Sequence, residues 1–125
     1  MTSQINIEDI RLQHKMWLET VEGEGILGDG KWQILRAVQD EGSLTAACQK
    51  LGLTYRRTWG DLKKIEHQLR LPLLNQSRGG KEGGMSELSS QGKALVEAFD
   101  KFHKDVDDKI RIAFGEFRKS LLALR

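Results

Sequence analysis

The sequence predicts a mainly α fold with small β hairpins, an α+β arrangement that ends in a long helix. Three observations predict it. Two short helical patterns follow each other across a two-residue joint, Gly52-Leu53. Eight of the 13 glycines fall within 23–30 and 79–84, and both stretches look like hairpin turns. Apolar residues recur at spacings of three and four from Leu95 to Leu124, the pattern of a long amphipathic helix.

The elements follow in chain order. Ile10, Leu12, His14, Met16 and Leu18 alternate with Arg11, Gln13, Lys15, Trp17 and Glu19, and period two predicts a half-buried strand. Ile26-Leu27 would be its short return, so an N-terminal hairpin is expected over about 8–27. His14 falls on the apolar face, as a core or interface residue. Ile34, Leu35 and Val38 give one helical face over about 31–41. Gly42 ends that helix, because glycine enters the left-handed region freely. Ser43 is placed to cap the second helix, lined by Leu44, Ala47, Cys48 and Leu51. Gly52 ends it in turn, and Thr54 is placed to cap a third helix over Tyr55 to Leu69.

The inward set of the third helix is Tyr55, Thr58, Trp59, Leu62, Ile65 and Leu69; the outward set is Arg56, Arg57, Gly60, Lys63 and Lys64. Pro72 disfavours helix at Leu71. Residues 73–77 and 85–88 look like paired strands around the glycine-rich loop 78–84. Ser89 or Ser90 caps the final helix. The expected division is a domain over 1–88 and a long helix over 89–125.

A chain of 125 residues with 38% hydrophobic content fills one modest core. The single cysteine, Cys48, rules out an internal disulfide and suits a reducing compartment. No apolar run reaches the roughly 18 residues of a membrane span. Met1-Thr2-Ser3-Gln4 has none of the features of a secretion signal. Cytoplasm is the expected location. Charge is unevenly spread: residues 1–53 carry 5 Lys/Arg against 8 Asp/Glu, residues 54–88 carry 7 against 4, and residues 89–125 carry 8 against 6. The basic middle segment suits a local polyanion contact or a solvated face.

Two short helices with a tight joint and small Ala46-Ala47 at their approach follow the logic of a helix-turn-helix. In such a unit the front of the second helix meets the DNA major groove. Arg56 and Arg57 occupy that front, and arginine offers a fork of donors to guanine. Thr54 and Tyr55 stand beside them, and Lys63 and Lys64 would be backbone contacts or solvated charges. The hairpin that follows would be a wing. Its tip, Arg78-Gly79-Gly80-Lys81, joins two cations to glycines that let the backbone lie close to DNA. A phosphate-binding loop would need Ser or Thr after Gly80-Lys81, and Glu82 stands there instead. An ordinary helical hairpin and a purely structural glycine turn remain the plain alternatives.

The stripe of Leu95, Phe99, Phe102, Val106, Ile110, Phe114 and Phe117 would be a costly exposed patch. A homodimer would bury it and pair two recognition helices on double-stranded DNA. Folding back on the chain's own domain is the alternative. The histidines, His14, His67 and His103, are scattered, and Asp100, His103 and Asp107 form a solvated charged face more naturally than a metal site. No catalytic set, metal or cofactor is expected. A protein-binding module is the competing function.

Three stretches then carry a resemblance: Gly42-Ser43-Leu44-Thr45-Ala46-Ala47, Leu51-Gly52-Leu53-Thr54-Tyr55-Arg56-Arg57-Thr58-Trp59, and Ser77-Arg78-Gly79-Gly80-Lys81-Glu82-Gly83-Gly84 before Leu88-Ser89. Together they resemble the N-terminal domain of molybdate-dependent transcriptional regulators, the ModE family, from about Ile10 to Val96. The helix-turn-helix alone is similar to the LysR-type class. The resemblance implies a winged helix-turn-helix followed by a long C-terminal dimerisation helix, binding operator DNA as a dimer. Glu82 stands where the family has glycine, and Thr58 where it has alanine. The family's oxyanion-binding domains have no counterpart here, so molybdate sensing is not expected of this chain alone. Its effector is unknown.

Overall fold

Two glycines, two serines and one left-handed arginine set helix ends in this chain. A computed structural model describes residues 2–76 and 86–125. Helix α1 (Asp29–Glu41) ends at Gly42, whose φ of 91° is left-handed. Helix α2 (Leu44–Leu51) begins on Ser43, whose hydroxyl accepts the Ala46 N–H at 3.1 Å. It ends at Gly52, with φ 68°. Helix α3 (Tyr55–Leu69) ends at Arg70, which takes the left-handed φ of 55° without being glycine. Helix α4 (Ser90–Ala123) is capped by Ser89, whose hydroxyl accepts the Gly92 N–H at 2.9 Å.

Two hairpins flank the helices. Strands β1 (Trp17–Glu19) and β2 (Gly25–Gly28) pair antiparallel, Trp17 opposite Gly28 and Leu18 opposite Leu27. Strands β3 (Leu74–Gln76) and β4 (Ser86–Leu88) pair antiparallel, Leu74 opposite Leu88. The expected mainly α architecture, a winged helix-turn-helix followed by a long helix, is the one observed. The wing-tip residues Arg78, Gly79, Gly80 and Lys81, with Glu82, lie outside the described residues.

Two compact units divide the chain. The first, Lys15–Phe99, holds the main core. Leu35 and Val38 of α1, Leu44 and Ala47 of α2, Leu62 and Ile65 of α3, and Leu73, Leu74 and Leu88 of the second hairpin share one buried cluster. The start of α4 closes it with Val96 and Phe99, and Phe99 packs its ring 5.4 Å from Trp32. Leu95 leans on the same cluster. The second unit joins residues Met1–His14 to Asp100–Arg125. There Ile7 is buried, the Arg118 guanidinium donates to the Ile10 carbonyl at 2.6 Å, and Asp107 meets both His14 at 3.1 Å and His103 at 2.9 Å.

Several expectations need correction. The strand expected over 10–18 is confined to Trp17–Glu19, because a strand extends only as far as its partner, and β2 stops at Gly28 where α1 begins. Residues Met1–His14 group with Asp100–Arg125, the far half of α4. His14 is exposed rather than on a strand's apolar face. Tyr55 was placed inward and is exposed at 39%, since it precedes the first full turn packed on the core. Of the residues expected at a dimer interface, Phe99 is buried in the chain's own core and Leu95 is half-buried against it.

Two contacts lock the root of the second hairpin. Gly92 is buried, and a Cβ there would collide with the Leu73 carbonyl oxygen. Glu66 of α3 accepts the N–H groups of Leu73 and Leu74 at 2.7 and 2.9 Å. Burial alone would raise its pKa, but those two amides and Lys63 outweigh that and hold it below the usual glutamate value. Gly92→Ala should therefore lower stability by about 1–3 kcal/mol in chemical denaturation, as overpacking against backbone does. The depressed Glu66 pKa contributes stability at neutral pH that is lost as pH falls below about 4.5, through the folded-state value. Denaturation midpoints from pH 7 to pH 3 should fall less steeply for Glu66→Gln than for the wild type.

Candidate nucleic-acid interface

The α2–α3 joint determines which residues of α3 reach solvent. The N–H of Gly52 and that of Leu53 both fall on the Cys48 carbonyl, the latter at 2.9 Å, so the chain reverses within two residues. Thr54 then holds the N-cap position with extended backbone. Its side chain makes no capping bond, contrary to expectation. The Thr58 hydroxyl instead donates to the Thr54 carbonyl at 2.8 Å. The first-turn N–H groups of α3 are thereby left to solvent or to an anion.

Thr58, Leu62 and Ile65 are buried and turn one face of α3 to the core. The same periodicity turns Arg56 and Arg57 outward. Both are exposed, and neither forms a hydrogen bond or ion pair with a described residue. Thr54 and Tyr55 are exposed beside them. The front of α3 thus presents two exposed guanidiniums, a phenol and a hydroxyl around a helix N-terminus.

The lysines further along differ from the arginines. The Lys63 ammonium lies 3.1 Å from Glu66 Oε1 and 5.4 Å from the centre of the Trp59 ring, and it is half-buried. It serves the inside of the domain. Lys64 is exposed and reaches Glu24 at 3.6 Å, a loose surface pair that leaves it accessible to a phosphate. The sequence pattern did not single out Asp61, Glu66 or Gln68. Asp61 anchors Lys31 of α1 at 3.0 Å, and Gln68 donates to Glu24 and to the Gly25 carbonyl at 3.0 and 3.3 Å. These partners lie 30 to 44 residues apart, so no local spacing announces them.

A groove of about 740 Å³ lies between Lys15–Trp17, the start of α1, Leu51 and Leu53, and none of the expected DNA contacts lines it. Among the described residues no group of three His, Cys, Asp or Glu is disposed to hold a metal ion, and none of their helices is long and apolar enough to cross a membrane. Cys48 is buried. Of the expected dimer residues, Phe102 and Phe117 are exposed at 47% and 57%, while Val106, Ile110 and Phe114 are half-buried.

Known proteins are similar to this chain in sequence. The chain is 30% identical to the molybdenum-pterin-binding protein MopB of Rhodobacter capsulatus over 58% of its length and 27% of the relative's. It is 28% identical to the molybdenum transport protein ModE of Azotobacter vinelandii over 71% of its length and 33% of the relative's. It is 29% identical to the HTH-type transcriptional regulator CzcR of Bacillus subtilis over 61% of its length and 25% of the relative's. The matched part thus spans about a quarter to a third of these relatives. Residues 30–93, about half of the chain, match the family described as bacterial regulatory helix-turn-helix protein, lysR family. Since that match takes in α1, α2, α3, both strands of the second hairpin and the opening of α4, the chain belongs to the lysR family of bacterial regulatory helix-turn-helix proteins.

Proposed function

We propose that this chain is the DNA-binding part of a transcription regulator, and that it recognises operator DNA as a homodimer. The observation that carries the proposal is the pair of exposed arginines, without a partner among the described residues, at the front of α3. A guanidinium there meets the major groove, where it donates two bonds to guanine O6 and N7. Thr54, Tyr55 and Lys64 contact phosphates, and the α3 N-terminus adds its own attraction for an anion. Arg78, Gly79, Gly80 and Lys81 lie outside the described residues, and their two cations and glycine backbone suit a further phosphate contact. Lys63 is left out of the contact set because Glu66 holds it. Molybdenum in two relatives' names supports targets among molybdenum-linked genes. No catalysis is required, and the work lies with the DNA in the bacterial cytoplasm.

The homodimer is assigned to the far half of α4, through Phe102, Val106, Ile110, Phe114 and Phe117. Exposed Phe102 and Phe117 support this, because a lone helix face with large aromatics is a costly patch. Phe99 is left out because it is buried in the domain core, and Leu95 because it is half-buried against that core.

Arg57→Ala should weaken binding to a selected operator by about 1–3 kcal/mol and random duplex by much less. Wild-type affinity should fall steeply with salt, by a slope of about −0.9 per neutralised phosphate. Equal losses on operator and random DNA would make Arg57 a phosphate contact. Phe117→Asp should turn the dimer into a folded monomer by analytical ultracentrifugation. An unchanged dimer mass would remove this face from the interface.

A further inference from the structure

We infer that Glu66 is a positioning residue for DNA binding: it sets the direction of the wing against the recognition helix, so that contacts made by the wing depend on it. The inference rests on the DNA-binding function proposed above and names the part that aligns its two contact elements. Glu66 lies one turn before the end of α3, and its two halves act on opposite sides of the corner at residues 70–72. Its backbone carbonyl accepts the N–H of Arg70 and, at 3.1 Å, that of Leu71, which closes the helix. Its Oε2 accepts the N–H groups of Leu73 and Leu74 at 2.7 and 2.9 Å, which opens the wing strand. Its Oε1 takes the Lys63 ammonium at 3.1 Å, and Lys63 in turn lies over Trp59 one turn further back.

Among the described residues, Glu66 makes every hydrogen bond between α3 and the start of the wing. Leu73 and Leu74 are also buried in the core, but burial of apolar surface is non-directional. Two charge-assisted bonds to consecutive amides add direction to that packing on the α3 side. The opposite edge is held as well: the Ser89 N–H donates to the Leu73 carbonyl at 2.8 Å, and the Ser89 hydroxyl donates to the Pro72 carbonyl. The corner itself includes Arg70 in a left-handed conformation that a non-glycine residue adopts only when its surroundings demand it.

The charge of Glu66 supports the same role. A carboxylate in the basic segment opposes attraction to DNA, yet this one stays ionised, because its amide partners and Lys63 hold its pKa down against burial. Its negative charge is committed inward, and it takes Lys63 with it. The arginines at the front of α3 remain for DNA.

The test is a mutant cycle on the whole chain, with an operator duplex selected from random DNA. Replacing both Arg78 and Lys81 by Ala in the wild type should weaken binding by about tenfold. In the Glu66→Ala background the same pair should cost less than about threefold, because an undirected wing contributes little. Glu66→Gln keeps an acceptor oxygen and should restore part of the difference. Circular dichroism below the melting temperature confirms that each variant is folded; if Glu66→Ala is not, Glu66→Gln and Glu66→Asp take its place in the cycle. A full wing cost in both backgrounds would overturn the inference and make Glu66 a structural brace only. No wing cost in the wild type would also overturn it, while the Arg57→Ala result still decides the DNA-binding proposal separately.

Discussion

The left-handed turn at Gly52 is the constraint on which the rest of the structure depends. It ends α2 and lets two successive amides share one carbonyl, that of Cys48. With only Gly52, Leu53 and Thr54 between them, α2 and α3 must cross at close range. Fully buried Ala47 permits that approach, and Leu62 and Ile65 then lock α3 onto α1 and α2. Once those two side chains are inside, helical geometry fixes the outward direction of residues 56 and 57. The outward direction of the front of α3 is thus set by buried residues.

Charge follows the same division between inside and outside. Lys31, Lys63 and Lys64 each have an acidic partner, in Asp61, Glu66 and Glu24. Arg56 and Arg57 have none among the described residues. Lysine serves well as a flexible tie within the fold, and arginine's rigid fork of donors suits bidentate recognition. The modest net charge of +2 therefore conceals a local surplus exposed at one end of one helix.

Features governed by local rules were legible in the sequence. Gly42, Ser43, Gly52 and Ser89 end or begin helices where a backbone conformation or a cap demands them. The extent of α3 follows from the joint before it and Pro72 after it. Features governed by distant partners were not. The alternation over residues 10–18 satisfies the period of a strand, but only the length of β2 decides how much of it pairs. The stripe on α4 is continuous in sequence, yet its first members, Leu95 and Phe99, meet the domain core, while Phe102 and Phe117 stay exposed. Glu66 looks like an ordinary polar position on a helix, and its role emerges only when Leu73 and Leu74 return to it. In the candidate site, the arginines were legible because helical spacing alone turns them outward. The internal commitment of Lys63 was not.

The central claim is that the front of α3 is the surface that touches DNA. Nuclear magnetic resonance of the isotopically labelled chain, titrated with a selected operator duplex, tests it most directly. The account predicts that the largest amide perturbations fall on residues 54–58 and that the groove beside Trp17 and Ile34 stays unperturbed. Perturbations centred on that groove, with residues 54–58 unmoved at saturating DNA, would contradict it.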